Sequence, residues 1–242
     1  MSVRRATLAH VSPSPPTGFF VSFEGGDGAG KSTQLRLLAE WVRTELGRAV
    51  VTTREPGGTA LGRQLRTAVL HGEHLDPRTE ALLYATDRAH HVHQVVRPAL
   101  DRGDVVLTDR YLDSSVAYQG NGRDLGEDEV ERLSLWAAGG LLPHLTVLLD
   151  LDPAAGLARI SGEPDRLESA GDEFHRRTRE TFLRRAAADR SGRWLVLDAA
   201  RRVDEVQAAV RARVGAALGG VDGTGAADGS AEPVTPAWDG AR

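Results

Sequence analysis

The stretch Phe19 to Thr33, FFVSFEGGDGAGKST, constrains this chain more than any other. Phe19, Val21 and Phe23 alternate in a β-prone run, and Leu35, Leu37, Leu38, Trp41 and Val42 take up helical spacing afterwards. Between strand and helix lies a turn fitting G-x-x-x-x-G-K-[ST], from Gly25 to Ser32. Such a loop closes its backbone N–H groups around phosphates, and the helix N-terminus adds a positive dipole. Gly25, Gly26, Gly28, Ala29, Gly30, Lys31, Ser32 and Thr33 are thereby candidates for holding a nucleoside triphosphate. Ser32 is also a candidate ligand for Mg²⁺. Lys31 is the only lysine, since 29 of the 30 basic residues are arginine, so a compact ammonium is used at this one position.

A strand that feeds a helix through such a loop belongs in a parallel sheet. Four more short apolar runs, Ala49–Thr53, Val105–Asp109, Leu145–Leu151 and Trp194–Asp198, are nearly continuous, as strands buried on both faces are. They alternate with helical patterns over Lys31–Leu46, Leu61–His71, Pro77–Arg102, Glu127–Ala138, Pro153–Ile160, Glu173–Ala188 and Asp204–Leu218. The expected fold is a single α/β domain over 18–218, a P-loop, doubly wound, five-stranded parallel sheet with helices on both faces. Residues 1–17, with Ser and Pro and no periodicity, and 219–242, rich in Gly, Ala and Asp, are expected to be disordered tails.

In such sheets ligands bind beyond the carboxyl ends of the strands. There the sequence places Arg54-Glu55-Pro56-Gly57-Gly58, Asp109-Arg110-Tyr111, Asp150 and Asp152, arginines and carboxylates suited to phosphates and Mg²⁺. Asp109 is the candidate partner of Ser32 for the metal. The net charge of −4 and pI near 6.1 argue against nucleic acid or an anionic membrane as partner. No run approaches the roughly 20 apolar residues of a membrane span. The absence of cysteine excludes thiol chemistry and fits a cytoplasmic location.

The motifs FEGGDGAGKST, TREPGGT, LLYATDRA, DRYLDSSVAYQGNGR and DRLE occur in this order, and on them the sequence resembles the bacterial thymidylate kinase family from about Phe19 to Val210. The resemblance implies transfer of the γ-phosphoryl of ATP to dTMP, in the presence of Mg²⁺, by a homodimer. It implies that Asp27 lies beside the acceptor monophosphate and that Arg66 and Arg110 hold it, with Glu55 and Pro56 among the acceptor-binding residues. Tyr84, where the family commonly has phenylalanine, would stack on the base. Arg88 and Gln119 would read its polar edge with Ser115 close by, and Tyr118 would sit against the deoxyribose. Two readings compete: a P-loop kinase for another nucleoside or nucleotide, and a nucleotide-binding regulator without turnover.

Phosphoryl transfer is mostly positioning and charge neutralisation. Asp27 is thus expected to organise rather than act as a base, with Lys31, Arg110 and Arg166 completing the catalytic set. In the family's eukaryotic branch the phosphate loop carries an arginine where this chain has Gly28, so the charge must come from elsewhere. The polar segment 160–171, ISGEPDRLESAG, is the candidate flap. It offers Arg166 for the transferring phosphoryl, while Arg159 at its base is expected to lie over the adenine.

Overall fold

The computed structural model describes residues 18–161 and 165–219. Both expected tails lie outside them except for Gly219, as do Gly162 to Pro164 of the expected flap. Five parallel strands form one sheet: β1 (Phe19–Glu24), β2 (Val50–Arg54), β3 (Val105–Asp109), β4 (Leu145–Asp150) and β5 (Trp194–Asp198), in the order β2-β3-β1-β4-β5. The central strand β1 pairs Phe19 with Val105 on one side and Val21 with Leu145 on the other. Its side chains alternate between two cores. Val21 and Phe23 pack with Leu35, Leu38 and Val42 of helix α1 (Lys31–Thr44) and Val206, Val210 and Val214 of α9 (Val203–Gly219). Phe20 packs on the opposite face with Val96, Leu100, Val106, Tyr111 and Leu112. Each fully buried phenylalanine or leucine contributes roughly 1.5–3 kcal/mol, which is what holds the sheet between its helical layers.

The expected strands and crossovers are found, with ends displaced by a few residues. Helix α2 spans Ala60–His71, α3 Pro77–His91, α6 Glu127–Ala137, α7 Pro153–Leu157 and α8 Asp172–Ala188. The pattern from Pro77 to Arg102 is interrupted by a π-helical turn, Val92–Val96, before α4 (Arg97–Asp101). Pro98 has no N–H to give and its ring crowds the preceding turn; a wide turn just upstream absorbs this without ending the helix.

One element was not anticipated. Helix α5 (Leu112–Ser115) runs into a second π stretch, Val116–Gly122. Leu112 through Gly120 are all buried, so this segment has no polar face to create a helical period, and its Ser, Gly and Asn residues are poor helix formers. It carries Ser114, Ser115, Tyr118 and Gln119 toward the end of the sheet where the strand termini converge.

Candidate active site

The phosphate loop follows β1 at the carboxyl edge of the sheet. Two of its glycines are required by contact. Gly25 (φ +134°) and Gly28 (φ +72°) both sit where side chains rarely go; a Cβ would overlap the Leu149 carbonyl oxygen at the first and the Gly156 carbonyl oxygen at the second. The loop is thus pressed backbone to backbone against β4 and α7. Helix α1 starts at Gly30 with no side-chain cap, leaving its first N–H groups free for an anion.

Lys31 lies over the loop, 7% exposed, with Nζ donating to the carbonyls of Gly25 (3.2 Å) and Gly26 (2.7 Å). Burial, and then the nearby Arg110, push its ammonium below the ordinary lysine range. Ser32 Oγ donates to Asp109 Oδ2 at 3.0 Å, placing a hydroxyl and a carboxylate side by side at the start of α1. Both are hard oxygen donors, as Mg²⁺ prefers. Among the described residues no cluster of three or more His, Cys, Asp or Glu could hold a metal without the nucleotide.

Arg110 links the phosphate loop to α5. It is one of two described non-glycine residues with positive φ (68°), so its guanidinium is aimed by an unusual backbone. Nη1 donates to the Gly25 carbonyl (3.1 Å) and Ser114 Oγ (3.1 Å), and Nη2 donates to Asp27 Oδ1. The guanidinium also lies 4.8 Å from the Tyr118 ring centroid. Burial would raise the Asp27 carboxyl, but Arg110, then Lys31, hold it below the ordinary range. Its other oxygen accepts from the Tyr118 hydroxyl at 3.3 Å.

Two clefts meet at these residues. The larger, about 1100 Å³, is lined by the loop, Asp109, Arg54, Arg110 and Arg159. The smaller, about 600 Å³, is lined by Asp27, Arg66, Tyr84, Arg88, Ser115, Tyr118 and Gln119, together with Glu55 and Pro56. Asp27, Glu55, Arg66, Arg110 and Glu168 border both clefts. Tyr84 is buried against Val69 and Leu70, and burial carries its phenol well above the usual range. Arg88, 1% exposed, donates from Nε to Glu55 Oε2 (2.9 Å) and from its terminal nitrogens to Ser134 (3.0 Å) and Ser115 (3.1 Å). It is thereby also a buried tie between α3, α6 and the loop after β2.

Arg166, on the expected flap, is turned toward α2 and α3. It lines neither cleft; Nη1 reaches the Glu73 carbonyl at 3.4 Å and Nη2 forms an ion pair with Glu80 at 3.1 Å, outside hydrogen-bond geometry. Arg159 instead lines the larger cleft, with Nη1 3.4 Å from the Gly28 carbonyl. The reason is local: Leu167 packs against Val69, Leu70 and Tyr84 and draws its neighbour to α2 and α3, whereas Arg159 follows α7, which abuts the loop.

Two buried carboxylates were missed. Glu24, at the end of β1, accepts from the Tyr111 amide (2.9 Å) and Ser114 Oγ (2.5 Å), and Ser114 in turn receives Arg110. The alternation of β1 could have revealed it, because a glutamate in step with Phe20 and Ser22 must point into the protein. Glu80 sits one helical turn before Tyr84 and two before Arg88, on the same buried stripe of α3. Burial, and then the charge of Asp113, raise the Glu24 carboxyl to about 8. A carboxyl raised on folding contributes stability that is present at low pH and is lost as pH rises through the folded value. The melting temperature is accordingly expected to fall as pH rises toward and through about 8. Glu24→Gln should flatten that fall, as thermal melts across the range would show.

A phosphate loop at the carboxyl edge of a parallel sheet, with a second cleft meeting it at Asp27 and Arg110, is the arrangement of a P-loop nucleotide kinase. Residues 23–210 match the family model described as thymidylate kinase. Over 206 residues, 84% of this chain and 97% of the relative, the sequence is 59% identical to a thymidylate kinase of Clavibacter michiganensis subsp. michiganensis. It is 52% identical to those of Bifidobacterium longum over 202 residues (81% and 97% of the two chains) and Deinococcus radiodurans over 200 (81% and 96%). The chain belongs to the thymidylate kinase family, and as a kinase it is an enzyme. No described helix is long and apolar enough to cross a membrane.

Proposed function

We propose that this protein transfers the γ-phosphoryl of ATP to dTMP, the larger cleft taking the donor and the smaller the acceptor. The observation that carries this reading is Arg110. One side chain touches the phosphate loop at Gly25 and Asp27, reaches Ser114 and Tyr118 of the smaller cleft, and lines both clefts, where a donor and an acceptor phosphate would meet. The acceptor phosphate is a competent nucleophile near neutral pH, so no strong base is needed. Asp27, held ionised, orients Arg110 and Tyr118. Arg66 and Arg110 would hold the acceptor phosphate, and Lys31 with the α1 N-terminus would hold those of ATP. Ser32 and Asp109 would bind Mg²⁺, which supplies charge neutralisation on the donor phosphates when bound. Arg159 is the arginine best placed to reach the transferring group.

On the acceptor side Tyr84 would stack on the base, Arg88 and Gln119 would meet its polar edge, and Tyr118 would lie against the sugar. A cytoplasmic enzyme with small nucleotide ligands fits the absence of cysteine and the negative net charge. Action as a homodimer is supported by Leu82 and Trp136, 55% and 81% exposed on the neighbouring helices α3 and α6. A coupled ADP-release assay across nucleoside monophosphates tests the reading: turnover with dTMP supports it, turnover only with another acceptor or ATP binding without turnover overturns it. In the same assay Gln119→Ala is expected to raise KM for dTMP about 10- to 100-fold, the cost of one unpaired polar group, and to leave KM for ATP unchanged.

A further inference from the structure

Glu80 is a buried carboxylate that no step of the transfer requires. It is 1% exposed, on α3, and both its oxygens are engaged. Oε1 accepts from Gln119 Nε2 at 2.9 Å and Arg123 Nε at 3.4 Å; Oε2 accepts from Arg123 Nη2 at 3.3 Å and pairs with Arg166. Arg123 is itself pinned, its guanidinium 4.9 Å from the Phe174 ring centroid. Three separate parts of the chain, the π stretch after α5, the loop behind it and the flap, converge on this one group.

A carboxylate between two guanidinium groups has only lone pairs to offer. The carboxamide of Gln119 must therefore present its NH₂ to Glu80, since the reverse orientation would set its oxygen against a carboxylate oxygen inside the protein. Its carbonyl oxygen is left as the group for a ligand in the acceptor cleft, which Gln119 lines. Arg88, on the same cleft, can only donate. A pyrimidine edge that fits this pair has an N–H at position 3 and a carbonyl at position 4. Cytosine has the opposite pattern, a lone pair at N3 and an amine at C4, and it would leave buried groups unpaired on both sides. The same carboxylate holds the flap: Arg166 reaches it, and Asp165, Leu167 and Glu168, beside Arg166, line the acceptor cleft.

We propose that Glu80 is the specificity-setting positioning residue of the acceptor site: it fixes which end of the Gln119 amide faces the base and ties that choice to the flap through Arg166. This rests on the dTMP-kinase reading above. In Glu80→Gln the new amide can donate to Gln119 as readily as accept from it, so the Gln119 carboxamide is free to turn and offer its NH₂ to cytosine.

The test is the ratio of kcat/KM for dCMP to that for dTMP, measured for wild type and Glu80→Gln. The variant should raise this ratio about 10- to 100-fold, returning part of the roughly 10⁴-fold rejection that a polar site can impose. Glu80→Asp, which keeps the acceptor-only character, should return the ratio toward wild type. A purely architectural role would lower turnover of both substrates together, and an unchanged ratio in a folded, active Glu80→Gln protein overturns the proposal. Should that variant not fold, hydrogen exchange on the unaltered chain decides. Saturating dTMP should slow exchange at the Leu167 and Glu168 amides, both of which donate to Asp165, and saturating dCMP should not. Equal protection by the two nucleotides, or none by either, overturns the coupling. Failure of the parent reading looks different, because wild type would then not turn over dTMP at all.

Discussion

Lys31→Arg is expected to lose on the order of a hundredfold or more in kcat, as the loss of one preorganised transition-state contact does, although the formal charge is kept. Lys31 Nζ is wedged between the Gly25 and Gly26 carbonyls and 7% exposed, and the loop around it cannot retreat because Gly25 and Gly28 already touch the backbone of β4 and α7. A compact ammonium fits that gap. A guanidinium is broad and planar, and it would have to swing out toward Asp109 or force the loop open. Steady-state and single-turnover rates check this, with the melting temperature as control. Near-wild-type turnover would mean that Lys31 does not contact the transferring phosphates.

Arg159→Ala is the other large effect, expected on the order of a thousandfold in kcat with KM values little changed, which is the signature of a charge felt mainly in the transition state. The loop cannot carry such an arginine itself, because any side chain at residue 28 would overlap the Gly156 carbonyl. Arg159 stands at the mouth of the donor cleft with its guanidinium 3.4 Å from the Gly28 carbonyl, near Lys31 and Arg110. Arg166, paired with Glu80, should act on the acceptor side, so Arg166→Ala should raise KM for dTMP more than it lowers the single-turnover rate. If Arg166→Ala slowed the chemical step more than Arg159→Ala, the two roles would have to be exchanged.

The sheet was legible because its five strands are short apolar runs with turn residues between them, and the phosphate loop because its geometry demands glycine and lysine at fixed spacing. The acceptor cleft was legible only through the resemblance: nothing in the spacing of Arg66, Tyr84, Arg88 and Gln119 says that α2, α3 and the segment after α5 meet. The helical form of Leu112 to Gly120 was not legible, since a helix buried on every side has no period to detect. Glu24 was readable from the alternation of β1, whereas Glu80 escaped because a glutamate in a helix is ordinarily a surface residue, and its burial is visible only once its partners on other elements are in place. The places of Arg159 and Arg166 were not legible, because one depends on α7 abutting the loop and the other on Leu167 packing against Val69 and Leu70, both tertiary contacts.

The cradle of Lys31 has a bearing on chemical labelling. It is the sole lysine, so it is the one side-chain amine that an acylating or aldehyde reagent can meet, and its lowered pKa leaves more of it as free base than an ordinary lysine at the same pH. An adenosine derivative bearing an amine-reactive group in place of its terminal phosphates would be carried to that nitrogen by the donor cleft. Each chain would then take up one side-chain label, ATP would compete for it, and the moles of label bound would count the functional nucleotide sites in a preparation.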